Sequence, residues 1–300
     1  MTDVLSWLTE PLQYEFMQRA LLVAFVVGLV CALLSCWLIL LGWSLMGDAV
    51  SHAVLPGVVL SYAVGAPFAA GAFVFGAGAV ALIGAVNRTS RVKEDAAIGV
   101  VFTALFALGI VLVTVIPSQV DLFHILFGNV LGVSNSDIVQ ILLLGGIAIF
   151  VLLVLRRSFV LYAFDPIHAH AIGISPRRLE MLLLALLALT VIVALQAVGI
   201  VLVVAMLITP GATAYLLTDR FDWMLAIAAA VGVGSTVLGT YASYNLDAST
   251  GGCIVSVAAL CFLAAYLLAP RYGLLGRRRR RRRDTAVVAP ATEAPASLAS

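Results

Sequence analysis

Two pairs of ionisable side chains stand inside otherwise apolar stretches of the chain. Asp48 and His52 are four residues apart, and Asp121 and His124 are three apart. Side chains at these spacings share one face of a helix, so each pair would present a carboxylate beside an imidazole. Carboxylate oxygens suit manganese, and imidazole nitrogens suit zinc and iron. The four side chains therefore predict a site for a divalent transition-metal cation.

Both pairs have a structural alternative, in which each is an internal salt bridge that holds helices together. Helix breakers argue for a functional site, because Gly47 precedes the first pair and Pro56 and Gly57 follow it. Transporters place binding sites on broken helices of this kind, within the bilayer. The stretch 52–66 is too short to cross a membrane alone, so we expect the first pair to lie inside the bilayer thickness.

The second pair borders a short apolar segment, 122–133. A crossing needs about 20 apolar residues, so this segment is too short to span the bilayer. It suits a re-entrant or interfacial piece on the external side. Asp121 and His124 would then meet an incoming cation before the first pair does.

Weaker candidates lie in two polar stretches. Glu94 and Asp95 follow Lys93 at the start of an apolar run, where acids favour the amino terminus of a helix. Helix capping is therefore the alternative to a role for them in relaying the metal. The two histidines of the stretch 163–173 alternate along the chain and do not share a helix face, so we expect a solvated cytoplasmic loop there.

The composition excludes most soluble functions. Apolar residues make up 63% of the 300 residues and charged residues 11%, against about 45–50% and about 25% in soluble domains. Seven of the 17 basic residues form the run Arg277–Arg283; the rest of the chain up to Gly276 has ten basic and thirteen acidic residues, a net charge of −3. A basic surface for nucleic acid is therefore not indicated. The sequence also contains no GxxxxGK[ST], GxSxG or HExxH motif, which argues against an enzyme.

The gaps between charged residues predict the fold class. Uncharged windows cover 20–47, 53–87, 96–120, 138–155, 181–218, 223–246 and 248–270. Two windows are too long for one crossing, and they break at Gly65-Ala66-Pro67 and near 196–199. We predict an all-α, polytopic transmembrane helical bundle of about nine passes, within a range of eight to ten, with broken helices and a re-entrant segment.

Basic residues predict the orientation and the domain limits. Lys and Arg occur in every second connection between passes, which places those connections and the carboxyl terminus in the cytoplasm. The chain divides into an N-terminal segment (1–18), a transmembrane permease domain (19–272) and an Arg-rich, disordered cytoplasmic tail (273–300). The arginine run of that tail suits anionic lipid head groups.

Several motifs in the same order resemble one family, the integral membrane permeases of bacterial ABC importers for manganese, iron or zinc. The resemblance runs from about Glu15 to Tyr272. It is carried by GDAVSHAVLPGVVLSYAVG (47–65), KEDAAIGVVFTALFALGIVL (93–112), VGIVLVVAMLITPGATAYLL (198–217) and the hairpin around Thr250-Gly251-Gly252. The stretch DLFHILFGN (121–129) resembles the manganese and iron branch.

The resemblance implies a set of partners and contact residues. It implies a homodimer in the bacterial plasma membrane, a cytoplasmic ATP-binding subunit, and an extracellular or periplasmic metal-binding lipoprotein. The first Asp/His pair would line the central pathway. The residues that would couple to the ATPase are Thr209, Pro210, Gly211, Ala212, Asp219 and Arg220. No permanently bound cofactor is expected; the divalent cation is cargo.

The sequence thus predicts a permease that moves a divalent cation, manganese or iron, inward while a separate subunit hydrolyses ATP. ATP binding and hydrolysis would rock the two protomers and alternate access to the site. A zinc permease of the same family is one alternative. An ATP-independent channel or carrier is another, and a membrane scaffold with structural Asp/His bridges is a third.

Overall fold

The computed structural model describes residues 13–116, 135–269 and Gly273, and in these ranges it contains helices and no strands. The helices are α1 (Glu15–Leu41), α2 (Ser44–Ala53), α3 (Leu55–Val64), α4 (Phe68–Thr89), α5 (Glu94–Val115), α6 (Asn135–Val154), α7 (Arg156–Phe164), α8 (Pro166–Ala171), α9 (Pro176–Leu217), α10 (Phe221–Leu246) and α11 (Thr250–Leu268). The predicted all-α fold is confirmed.

The described helices agree with the predicted range of eight to ten passes. Eight helical segments are long and apolar enough to cross a membrane, with α2 and α3 together forming one of them, Ser44–Val64. The shorter apolar helix Leu202–Leu217, the second half of α9, supplies a ninth. Gly65, in the left-handed region at φ 68°, ends α3 and turns the chain into α4 at the predicted break.

Helix α9 is two helices joined at Gly199, which has φ 76° and ψ 168°. A straight helix of its 42 residues would be about 63 Å long. Yet α9 begins a few residues after α8, and the residues that follow its other end, Arg220 to Trp223, share a cavity with α7. The two halves must therefore fold back on each other. The break predicted near 196–199 allows each half to cross the membrane separately.

The second pass is interrupted between its two halves, close to Pro56, where the sequence predicts a helix breaker. Pro56 has no backbone N–H, and α2 gives way to α3 at Val54. The interruption is slight, because the amide of Val54 donates to the carbonyl of Val50 and the amide of Val58 donates to that of Val54. The stretch after His52 is too short to span alone, and α2 supplies the missing length.

Helix α1 forms the centre of the bundle. In its most apolar window 72% of the residues are buried, against 22% in each of α4, α5 and α6. It packs most extensively against α9 and α10. At one crossing, a Cβ added to Gly232 would lie 2.7 Å from the carbonyl oxygen of Gly28. The peripheral helices are left to face lipid or another subunit.

Some predictions concern residues outside the described ranges. These are the re-entrant segment with Asp121 and His124, the first twelve residues, and the tail beyond Gly273 with its arginine run. The domain limits, which depend on these segments, stay predictions.

Candidate metal-binding site

Helix α2 brings the first predicted pair together. Nε2 of His52 lies 3.3 Å from Oδ1 of Asp48, one helical turn away. From Met46 to Ala53 every residue of α2 is buried except these two. The side chain of His52 is 24% exposed and that of Asp48 is 32% exposed. Between Met46 and Ala53, helix α2 is therefore covered except along the line of Asp48 and His52, which is called the open edge of α2.

Packing fixes which edge of α2 stays open. Leu207 of α9 lies against Gly47, because a Cβ added to Gly47 would stand 3.2 Å from Cδ1 of Leu207. The hydroxyl of Ser51 is buried and donates to the carbonyl of Gly47 at 2.7 Å. Ser51 therefore needs no partner outside its own helix. Among the polar side chains of this turn, the carboxylate and the imidazole remain for another ligand.

The contact between Asp48 and His52 fits both interpretations of the pair. It is the bridge that the structural alternative predicts, and its two atoms, Oδ1 and Nε2, are also the two that a cation would bind. In the described part of the chain no cluster of three or more His, Cys, Asp or Glu side chains could hold a metal ion. One chain thus offers two protein ligands here, and a transition-metal site needs about four or more.

The imidazole of His52 lies against two aromatic rings of α5. Its ring centre is 4.9 Å from that of Phe106, at an interplanar angle of 75°, and 5.7 Å from that of Phe102, at 43°. Nδ1 of His52 is buried and has no hydrogen-bond partner among the described residues. The imidazole thus has a carboxylate near Nε2, two aromatic rings in contact with it, and a buried Nδ1.

The weaker candidates, Glu94 and Asp95, form the first turn of α5. Asp95 is exposed, and it precedes Phe102 by about 10 Å along the helix axis. Among the described residues, Asp95 forms no metal-binding cluster with Asp48 and His52. A role for these acids in relaying the metal stays a prediction.

The structure separates the predicted coupling residues into two groups. Thr209, Pro210, Gly211 and Ala212 lie inside the second half of α9, with Pro210 and Gly211 buried. A Cβ added to Gly211 would stand 2.7 Å from the carbonyl carbon of Ser35, so this segment packs tightly on α1. Asp219 and Arg220 are exposed in the short connection to α10. The second group is exposed, whereas Thr209 and Ala212 of the first group are half-buried.

A surface that the sequence analysis missed lies beside Arg220. The stretch 163–173 was expected to be a solvated loop; both of its histidines are exposed, but the stretch contains the short helix α8. The carboxylate of Asp165 caps α8 by accepting from the amide of His168 at 2.8 Å. Asp at the N-cap followed by Pro at the first helical position is a helix-start signal that could have predicted α8.

Helix α7, Arg220 and the start of α10 line a cavity of about 800 Å³ that is open to the surface. Arg156 of α7 and Asp222 of α10 form an ion pair across it at 2.8 Å. Phe164 and Ile167, in the α7–α8 segment, are exposed. The end of the bundle with the basic connections thus carries a mixed polar and apolar surface.

Known proteins resemble the chain over nearly all of these helices. The sequence matches the ABC 3 transport family over residues 13–269. The manganese transport system membrane protein MntB of Synechocystis sp. is 58% identical over 92% of this chain and 90% of its own. A probable iron transport system membrane protein of Haemophilus influenzae is 52% identical over 87% of this chain and 96% of its own. A chain in the structure of PsaBC from Streptococcus pneumoniae in complex with Fab is 38% identical, with a TM-score of 0.84, over 93% of this chain and 99% of that chain.

Proposed function

Because the chain belongs to the ABC 3 transport family, we propose that it is the membrane permease of an ATP-driven importer for manganese or iron. The observation that carries this proposal is the open edge of α2, where Asp48 and His52 are the two unburied side chains between Met46 and Ala53. Ionisable side chains inside a membrane-spanning helix are costly and mark ion pathways. A carboxylate beside an imidazole gives that edge the ligands of a divalent transition metal.

The relatives support manganese or iron over zinc as the cargo. MntB is named for manganese and the Haemophilus protein for iron. Both metals accept oxygen and nitrogen ligands, so Asp48 and His52 suit either one. Zinc, which accepts the same two side chains, stays the alternative cargo.

The ligand count supports a site shared by two copies of the chain. One chain contributes the Oδ1 of Asp48 and the Nε2 of His52. A two-fold axis beside α2 would bring a second identical pair opposite the first. Two carboxylates and two imidazoles would then surround one cation on the central pathway. The sparsely buried helices α4 and α5 leave surface for such a dimer contact.

The basic end of the bundle supports the position of the ATP-binding subunit. Basic residues lie in alternate connections, so this end would face the cytoplasm of a bacterial plasma membrane. Asp219 and Arg220 would contact the ATPase there, beside the exposed α7 and α8 surface. The segment 209–212 would transmit the movement through the packing of Gly211 on α1. The carboxyl terminus, which follows α11, would lie on the same side.

The opposite end of the bundle would receive the cation from an external metal-binding lipoprotein. The connection between α5 and α6 contains Asp121 and His124. We propose that these side chains bind the incoming ion before it reaches Asp48 and His52. Movement of the two protomers driven by ATP would then open the site to the cytoplasm.

The proposal is tested by uptake of radiolabelled manganese in cells that lack their own importer. We expect Asp48→Ala and His52→Ala each to abolish accumulation, because each removes one of two ligands. Assembly with the ATPase should persist, since both side chains lie on the open edge of α2.

Glu15→Ala is the matched control, because Glu15 and Arg19 form another exposed ion pair at i,i+4 spacing. This variant should accumulate manganese like the wild type. Wild-type accumulation by both the Asp48 and the His52 variants would refute the proposed site.

A further inference from the structure

The imidazole of His52 has two sides with different surroundings. Nε2 faces Asp48 at 3.3 Å on the open edge of α2. Nδ1 is buried, has no hydrogen-bond partner among the described residues, and stands in a helix packed against α5. The rings of Phe106 and Phe102 contact the imidazole from α5. Nδ1 is therefore closed off, and Nε2 is the ring nitrogen beside the carboxylate.

Metal-binding histidines usually donate their second ring N–H to a carboxylate, a carbonyl or a water, and this second contact fixes the ring. His52 has no such acceptor among the described residues. The imidazole ring is instead in contact with the aromatic rings of Phe102 and Phe106. The steep angle and the 4.9 Å separation of Phe106 match an edge-to-face pair, an arrangement that aromatic quadrupoles favour. An N–H directed at an aromatic face is a weak but real interaction.

A close contact between α5 and α3, about one turn beyond Phe106 and His52, fixes the position of Phe106 relative to His52. Gly109 of α5 lies against Leu55 of α3, and a Cβ added to Gly109 would stand 2.9 Å from Cδ2 of Leu55. Gly109 follows Phe106 by three residues, and Leu55 follows His52 by three. This close approach keeps the aromatic ring at the level of the imidazole.

We propose that Phe106, with Phe102 beside it, is the positioning residue that holds the His52 imidazole with Nε2 toward the cation. The two rings take the place of the usual polar partner of a metal-binding histidine. They hold the ring in one orientation and keep Nδ1 away from the pathway. This inference rests on the proposed function, because it assigns a role in cation binding to a contact with His52.

The test compares two substitutions in the permease assembled with its ATPase in lipid nanodiscs, with Mn²⁺ as the probe. In Phe106→Leu the aromatic contact is lost, and we expect the half-saturating Mn²⁺ concentration to rise about tenfold or more, the usual effect of losing a supporting contact. The magnetic coupling between Mn²⁺ and imidazole nitrogen, seen by pulsed electron paramagnetic resonance, should weaken in parallel. In Phe106→Tyr the ring stays, and both measurements should remain near the wild type.

Phe150→Leu is the matched control, because Phe150 of α6 is 67% exposed and distant in sequence from the site. Gel filtration verifies that each variant still assembles with the ATPase. If Phe106→Leu fails to assemble, Phe106→Met removes the ring while keeping most of the side-chain volume. Wild-type Mn²⁺ affinity in the leucine or methionine variant would overturn the proposal. Equal losses in the leucine and tyrosine variants would also overturn it, since the ring would then not be the cause.

His52→Ala in the same assay separates this inference from the proposed function. If His52→Ala binds Mn²⁺ like the wild type, the proposed site itself fails. If His52→Ala loses binding while Phe106→Leu keeps it, the site stands and the positioning role of Phe106 fails.

Discussion

At the scale of single residues, the proposed function depends on two side chains that the surrounding packing leaves partly exposed. Both were predicted from their type and their spacing of four. Their open edge was not predictable, because the neighbours of Asp48 and His52 in α2 are small or apolar on every side. Which face of such a helix is covered depends on tertiary contacts, such as that of Leu207 with Gly47. The aromatic contact of Phe106 was missed for the same reason.

A substitution that keeps shape but removes charge distinguishes a ligand from a structural bridge. Asp48→Asn keeps the shape of the side chain beside His52 but binds a divalent cation poorly. A partly exposed acid–imidazole contact contributes about 1 kcal/mol or less, so the melting temperature should change little. We expect manganese uptake to fall to background at normal protein abundance. A large drop in melting temperature with wild-type uptake in the surviving protein would instead support the bridge.

At the scale of the helices, the sequence predicted where helices are interrupted better than it predicted which helices pack against each other. Glycine and proline marked the turn after α3 and the break in α9, because local backbone geometry needs those residues there. The closest helix crossing was not predicted. A Cβ added to Gly57 of α3 would meet the carbonyl oxygen of Gly71 in α4, and a Cβ on Gly71 would meet that of Gly57. No local pattern states that these two glycines lie opposite each other.

The crossing of α3 and α4 predicts a stability effect. Gly57→Ala and Gly71→Ala each place a methyl group against backbone of the other helix, at 2.1 Å before any adjustment. The helices must separate, so each variant should lose about 1–3 kcal/mol of stability, as other overpacked variants do. Thermal unfolding in detergent measures the loss.

Gly78→Ala in α4 is the control for this prediction. No described residue lies within 4 Å of a Cβ added there, and alanine favours helix over glycine. Its melting temperature should equal or exceed that of the wild type. Equal behaviour of all three variants would contradict the close approach.

At the scale of the whole molecule, the number of passes and the likeness to metal permeases were both predictable. Long uncharged windows give the crossings directly, since few other structures tolerate them. The reversal of α9 matters most for the arrangement, because it returns Arg220 to the end of the bundle that holds Arg156. The α7 and α8 surface was not predictable as a unit, because it combines short helices from one segment with the start of α10.

The alternating connections predict a sidedness that labelling can measure. Ser90, between α4 and α5, and Ala248, between α10 and α11, are both exposed, and the alternation of nine passes would place them at opposite ends of the bundle. In a background without the four native cysteines, Ser90→Cys should react with a membrane-impermeant thiol reagent only in inside-out vesicles. Ala248→Cys should react in intact spheroplasts. The reverse pattern would place the basic end outside and remove the proposed ATPase contact.

If Gly199 served as a pivot, the second half of α9 would move as a lever. Its far end, at Leu217, lies next to the exposed Asp219, about 27 Å from Gly199. Leu207 stands about 12 Å from the same pivot, where it rests on Gly47, the residue before Asp48. A sideways displacement of the exposed end would then move Leu207, and with it the residues beside Asp48, by somewhat under half as much. A large movement at that end would thus become a small adjustment at the ion.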